Sequence, residues 1–236
     1  MHTNPSTRSS LADGAPCPWP SGPLEPNLIE GAVHVWRADL QAVGDELGGL
    51  LCDEERERAE RLLGERDRWR WIGCRGVLRA LLARYLGLDP RVLEFSLGEH
   101  GKPMLATAGA KLLHFNLSHS GDLALYAVSG ERAVGIDVEV TRRQVDELAI
   151  AARVLGEAEA ARLGAIDPET RTREFLRAWV AHEAAVKCRG TGLGRRSEDS
   201  PAAGLWTAEL DVGPGAAAAV VAEERPSELC LWEWRG

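Results

Sequence analysis

The stretch Phe175-Leu176-Arg177-Ala178-Trp179-Val180-Ala181-His182-Glu183-Ala184-Ala185-Val186-Lys187 decides how this chain is read, because its carboxylate points the wrong way for a surface helix. At about 100° per residue, Phe175, Leu176, Trp179, Val180 and Val186 cover one apolar face. Glu183 falls in the middle of that face and Lys187 at its edge. A carboxylate aimed at a core must be paired or must hold a metal. Earlier in the chain stands Gly135-Ile136-Asp137-Val138-Glu139. Alternate residues of a strand share a face. Asp137 and Glu139 are therefore expected to project together, with Val134, Ile136, Val138 and Val140 on the other side. Gly135 shares the acidic face and has no side chain to block approach. Asp137, Glu139 and Glu183, carried on two buried elements, suit a hard cation. Mg²⁺ prefers carboxylate oxygens, keeps several waters and completes its shell with substrate phosphate. Taken singly, the pieces have blander readings: a strand with a polar outer face, and a helical i,i+4 Glu183–Lys187 ion pair.

Working outward, 236 residues fit one large domain or two small halves. The 44% hydrophobic and 27% charged content is that of a soluble globular protein. No apolar run reaches the ~18–20 residues that span a bilayer, so no membrane association is expected. The first 26 residues hold six of the twelve prolines and no apolar signal-peptide core, so residues 1–30 are expected to be a disordered Pro-rich tail. The cysteines at 17, 52, 74, 188 and 230 are odd in number and form no CxxC pair, which argues for reduced thiols, a cytoplasmic protein and no zinc cluster. A net charge of −8 argues against nucleic-acid partners.

The patterns predict a strand over 33–38, helices over 53–63 and 67–86, and strands Val92–Leu97 and Leu112–Leu117 around a turn at Gly101-Lys102-Pro103. Leu123–Val128 and Ala133–Val140 read as a buried hairpin turned at Ser129-Gly130. Helices near 144–163 and 171–188 precede strands near 205–212, 216–223 and 229–234. The Ala-rich 216–223 is the weakest strand, since Ala is depleted in sheets. Helices followed by strands occur twice, which predicts an α+β fold of two similar halves, 31–121 and 122–236, with the active site at their interface.

Residues 66–91 run against the acidic balance, with Arg at 66, 68, 70, 75, 79, 84 and 91. On a helix, Arg68, Arg75 and Arg79 share a narrow face, which reads either as a solvated surface or as an anion site. In Phe115-Asn116-Leu117-Ser118-His119-Ser120-Gly121 a strand ends in small hydrogen-bonding residues. Hydroxyls, turn amides and an imidazole make a phosphate cradle, or an ordinary turn. Lys102 beside its turn reads, on its own, as a solvated lysine.

The order of these motifs resolves the alternatives. Gly-Lys-Pro, then Phe-Asn-Leu-Ser-His-Ser, then Gly-Ile-Asp-Val-Glu, then Trp-Val-Ala-His-Glu-Ala-Ala-Val-Lys closely resembles the surfactin-synthetase-activating (group II) type of 4′-phosphopantetheinyl transferase. The resemblance spans roughly residues 50–193, including Gly190-Thr191-Gly192-Leu193. It implies transfer of the phosphopantetheine arm of coenzyme A to a serine of an apo acyl or peptidyl carrier protein, with release of adenosine 3′,5′-bisphosphate. It implies a pseudo-twofold pair of α/β halves in a monomer, with coenzyme A between them. Asp137, Glu139 and Glu183 match the family's Mg²⁺ ligands. Ser118 and His119 match coenzyme A contacts, and Asn116 belongs to that loop. Lys102 and Lys187 match phosphate-binding lysines, and Arg58 and Arg61 fall where the family carries basic residues near the 3′-phosphate. In the implied mechanism Lys187 bears growing charge and Glu183 draws off the serine proton. Polyketide, nonribosomal-peptide and fatty-acid carriers all fit as acceptors.

One residue departs from the family pattern. His182 stands where a lysine usually precedes the glutamate, so a fixed positive charge is missing or conditional on pH, and the sequence does not sign its shift. A non-catalytic carrier-binding homologue and a Mg²⁺-dependent nucleotide phosphodiester hydrolase are the rival expectations.

Overall fold

Strands that are apolar on both faces must be covered on both, and this chain does so by stacking two sheets between two long helices. The structure is a computed structural model, and it describes residues 19–108, 112–141, 145–192 and 202–236. In chain order the elements are β1 (Val33–Asp39), α1 (Asp53–Glu60), α2 (Glu65–Leu86), β2 (Phe95–Leu97), β3 (Pro103–Leu105), β4 (His114–Ser120), β5 (Leu123–Ser129), β6 (Val134–Val140), α3 (Glu147–Val154), α4 (Glu157–Gly164), α5 (Pro168–Arg189), β7 (Trp206–Glu209), β8 (Ala216–Ala222) and β9 (Leu229–Glu233). One sheet has the order β4-β5-β1-β9, a second β6-β8-β7, and β2 pairs with β3 as a separate ribbon. The fold is α+β.

Three apolar layers hold the stack. The 22-residue α2 places Val77, Leu78, Leu81 and Leu82 against Trp36, Phe115, Tyr126 and Val128 of the first sheet. The opposite face of that sheet, with Val33, Val35, Leu125 and Ala127, packs on Val134, Ile136, Val138 and Val220 of the second. The 22-residue α5 covers the far side with Val180, Ala184, Ala185 and Cys188 against Ala217, Ala219 and Val221. The Ala-rich β8 is thus a central strand. Its small side chains let α5 lie close, a packing reason that outweighs the low β-propensity of Ala.

Several expectations are corrected. Leu123–Val128 and Ala133–Val140 are not a hairpin: β5 pairs antiparallel with β4 and β1, and β6 with β8. Leu125 and Ala127 of β5 pack on Val134, Ile136 and Val138 of β6, so the two strands stack face to face in different sheets, with Ser129-Gly130 as the crossing point. The turn at Gly101-Lys102-Pro103 returns the chain through Pro103–Leu105, which pairs with Phe95–Leu97, and not through Leu112–Leu117. The helix expected near 144–163 is two, broken at Gly156, whose φ of 100° suits no other residue well; residues 142–144 lie outside the described residues. The tail expected over 1–30 lies outside them up to residue 18. From Trp19 the chain packs: the buried Trp19 donates its indole N–H to the Asp211 carbonyl at 2.7 Å, and Pro20 and Gly22 bond the backbone of Glu233. β5 and β9, both beyond the expected boundary at 121/122, lie in the sheet of β1. No helix among the described residues is long and apolar enough to cross a membrane.

Gly135 fixes how closely α5 approaches β6. A Cβ built on it would overlap the Ala184 carbonyl oxygen and the Cys188 amide nitrogen, backbone atoms that cannot turn aside. Gly135→Ala should therefore cost about 1–3 kcal/mol or more, the usual penalty for overpacking a close contact. The check is the midpoint of urea unfolding, which should fall with the slope unchanged; a midpoint like that of the wild type would show that the helix can slide away freely.

Candidate active site

The edge of β6 is where the predicted residues meet. Among the described residues β6 pairs only with β8, so its outer backbone groups have no strand partner there, and unpaired buried backbone groups are costly. Side chains from neighbouring elements take them up. Asn116 Oδ1 accepts from the Ile136 N–H at 2.9 Å, and Ser120 Oγ accepts from the Val140 N–H at 3.1 Å. Between them Ser118 donates its hydroxyl to Asp137 Oδ1 at 2.7 Å, and Ser120 donates to Glu139 Oε2 at 2.7 Å. Asn116, Ser118 and Ser120 occupy alternate positions of β4, so they share the face turned to β6.

From the other side, α5 brings Glu183 and Lys187. The Lys187 ammonium donates to Asp137 Oδ1 at 2.6 Å and to Ser118 Oγ at 3.0 Å, and lies 3.4 Å from the Ile136 carbonyl. Asp137 and Glu183 are both buried. Burial pushes the Glu183 carboxyl up to about 7, and the like charges of Asp137 and then Glu139 add to it while Lys187 opposes. Asp137 Oδ2 is buried with no hydrogen-bond partner. An orphaned carboxylate oxygen can accept a donor or a cation. Among the described residues no three His, Cys, Asp or Glu side chains are drawn together tightly enough to hold a metal as they stand. The donor set is nonetheless oxygen-only, and Asp137 and Glu139 are close enough to Glu183 to raise its proton affinity.

The structure therefore brings together Asn116, Ser118, Asp137, Glu139, Glu183 and Lys187. His119, next to Ser118, projects to the opposite face of β4 and is exposed. Lys102 is turned toward backbone carbonyls at the end of α5. Arg61 makes an exposed i,i+4 pair with Glu57, and Arg58 stacks over Trp71 at 5.7 Å. His182 is half-buried, and burial lowers its pKa, so the imidazole is neutral at pH 7 and supplies no fixed charge in place of a lysine. Leu193 lies outside the described residues.

Two readings need revision. Arg75 and Arg79 form neither a solvated face nor an anion site: both pair with the buried Glu55 of α1 and stack on Phe95, and Arg79 also donates to the Pro90 and Leu93 carbonyls at 2.8 and 3.0 Å. Arg68 bonds the Leu62 carbonyl at 3.2 Å. The pairing was hidden because it joins two helices. Ser120, by contrast, was missed as a site residue although the Asn-x-Ser-x-Ser alternation could have revealed it.

The pKa of Glu183 makes a stability prediction. Its folded value, about 7, lies above the ordinary 4.5. The stability it contributes is present below the ordinary value and is lost as pH rises through the folded one. Glu183→Gln should leave the melting temperature near that of the wild type at pH 5 and raise it at pH 8, by roughly 2–4 °C for each kcal/mol recovered. Parallel melting curves at the two pH values would show that Glu183 ionises without strain.

Comparison with known proteins places the chain in one family. Residues 133–233 match the 4′-phosphopantetheinyl transferase superfamily, and residues 36–131 match the 4′-phosphopantetheinyl transferase N-terminal family. The chain is 35% identical over 184 residues to the 4′-phosphopantetheinyl transferase HetI of Nostoc sp., covering 76% of this chain and 78% of that protein. It is 31% identical over 149 residues to a 4′-phosphopantetheinyl transferase of Bacillus subtilis, covering 63% of this chain and 64% of the other. A 123-residue match to the 4′-phosphopantetheinyl transferase AcpT of Escherichia coli, at 39% identity, covers 52% of this chain and 58% of that one.

Proposed function

This chain belongs to the 4′-phosphopantetheinyl transferase superfamily and transfers the phosphopantetheine arm of coenzyme A to carrier proteins, and from that premise we propose that Asp137, Glu139, Glu183 and Lys187 carry the chemistry. The supporting observation is their convergence: a buried Asp137 with one oxygen held by Lys187 and the other unpartnered, beside a Glu183 whose carboxyl is lifted to about 7. A carrier serine attacks one phosphorus of the coenzyme A diphosphate. The O–P bond to serine forms as the P–O bond to the nucleotide breaks, and adenosine 3′,5′-bisphosphate leaves. Such transfers depend on positioning and on neutralising phosphoryl oxygens.

Lys187 supplies a positive charge to those oxygens, and Glu183 takes the serine proton. Without a metal cation beside it the Glu183 carboxyl is lifted to about 7, a value that suits a base at neutral pH. Ser118 and Ser120 orient Asp137 and Glu139. Asp137, Glu139 and Glu183 would hold Mg²⁺, which when bound would neutralise diphosphate charge. His182, whose pKa burial lowers, does not act as a phosphate-binding cation. Arg58, Arg61 and His119 are proposed to meet the nucleotide end, and the acceptor is an acyl or peptidyl carrier. The reading is of the surfactin-synthetase-activating type, acting as a monomer in the cytoplasm.

The direct test is mass spectrometry of a panel of apo carriers incubated with coenzyme A, Mg²⁺ and the protein, where each true acceptor gains one phosphopantetheine. Release of adenosine bisphosphate without a carrier would favour a hydrolase. Asp137→Asn, which keeps shape and removes charge, should lower transfer at least about a hundredfold, as loss of a key electrostatic group does, while the circular dichroism spectrum stays native. Transfer within tenfold of the wild type would remove Asp137 from the chemistry.

A second expectation concerns the donor. With dephospho-coenzyme A, the Michaelis constant should rise about ten- to a hundredfold, the equivalent of one charge-assisted hydrogen bond of roughly 1.5–3 kcal/mol. Arg61→Ala should erase most of that difference. Equal constants for both donors in the wild type would refute the assignment of α1 to the 3′-phosphate.

A further inference from the structure

Lys102 is more deeply tied into the fold than a lysine kept for a ligand needs to be. The last four carbonyls of an α-helix have no intrahelical partner. At the end of α5, Gly190 closes the helix with φ 66°, and its N–H bonds the Val186 carbonyl at 2.9 Å. The next two carbonyls, of Lys187 and Cys188, accept from Lys102 Nζ at 2.8 and 3.4 Å. The Val134 carbonyl, at the start of β6, accepts at 3.0 Å. An ammonium has three N–H donors, and these carbonyls use all of them. A cation at a helix C-terminus is also favoured by the helix dipole.

The loop that carries Lys102 is built for this seat. Gly98 N–H bonds the Lys102 carbonyl at 2.9 Å, and Gly101 N–H bonds the Gly98 carbonyl at 2.9 Å. His100 lies against Gly192, just past the helix, where an added Cβ would come within 3.1 Å of it. Burial lowers the lysine's pKa, and Cys188 and Glu223 oppose that shift. To reach a donor phosphate Lys102 would have to leave carbonyls at a packed helix end, at about 1–3 kcal/mol for each one left unsatisfied.

We propose that Lys102 is a positioning residue that pins the C-terminal turn of α5 to the start of β6 and so holds Lys187 on Asp137, acting through the helix and not on coenzyme A. Lys187 links the two halves of the idea: its carbonyl accepts from Lys102, and its ammonium donates to Asp137 at 2.6 Å. The clamp thus joins the two elements whose approach creates the acidic site. The proposal rests on the reading of Asp137 and Lys187 as catalytic.

Steady-state transfer to an apo carrier separates the possibilities. Lys102→Met keeps the stem and removes the donors. It should lower kcat about tenfold or more and change KM for coenzyme A less than about threefold, the mark of an effect on the reacting groups and not on donor binding. Lys102→Arg, which keeps charge and donors, should recover part of kcat. In a Lys187→Met background, Lys102→Met should cost much less than in the wild type, since groups that act through one another are not additive. A KM raised tenfold or more with kcat unchanged would overturn the proposal, as would losses that multiply in the double variant. So would a lowered melting temperature with wild-type kcat, which is what a purely structural lysine gives. If Lys102→Met does not fold, Lys102→Gln is read by the same split. Wild-type kcat in Lys187→Met alone would instead remove the Asp137–Lys187 reading on which the proposal stands.

Discussion

The unpaired edge of β6 is the constraint on which the rest of the site depends. A sheet edge leaves N–H and C=O groups that must find partners or water. Among the described residues no strand supplies them. Asn116 and Ser120 meet the N–H groups of Ile136 and Val140, and Lys102 and Lys187 approach the carbonyls of Val134 and Ile136. The side chains that complete the edge also surround Asp137 and Glu139. Satisfying the backbone and assembling the acidic cluster are the same act, so the cluster is as well defined as the strand itself.

That arrangement holds charge where charge is costly. Asp137 and Glu183 are both buried, and one ammonium, that of Lys187, pairs with Asp137 and opposes the upward shift of Glu183. Lys187 and Ser118 satisfy one Asp137 oxygen, and Ser120 satisfies one from Glu139. Glu183 is left to resist ionisation. A structure selected only for stability would place an apolar residue in the middle of that helix face. Strain of this kind concentrates where a protein does chemistry, and here it sits where the two sheets and α5 meet.

The sequence made the two decisive elements legible because each obeys one short period. Alternation put Asp137 and Glu139 on one face and Val134, Ile136 and Val138 on the other, as found. The helical period put Glu183 against the core, also as found. Period says nothing of sheet partners, so β5 and β6 were read as a hairpin when they stack in different sheets. It also gave Gly135 a partial meaning. The missing side chain does leave room, but what fills the room is the backbone of α5 at Ala184 and Cys188. Adjacent residues on a strand face opposite ways, so Ser118 shares with Ser120 the face turned to β6, while His119 lies on the other face.

Charged residues were the least legible, because a sequence shows the sign of a charge and not the cost of freeing it. Arg75, Arg79 and Arg61 looked alike as candidates for a polyanionic donor. Arg79 is 1% exposed and holds Glu55 and two carbonyls. Drawing it out would strand a buried carboxylate, a loss of about 3–5 kcal/mol for a broken buried pair. Arg61 and Glu57 lie in the open at the end of α1. An exposed pair of that kind is worth about 0–1 kcal/mol, so a phosphate can replace Glu57 at little cost. The cations open to a ligand are therefore those with the weakest existing partners, and by that measure α1 presents an exchangeable charge while the buried arginines of α2 hold the first half of the fold together.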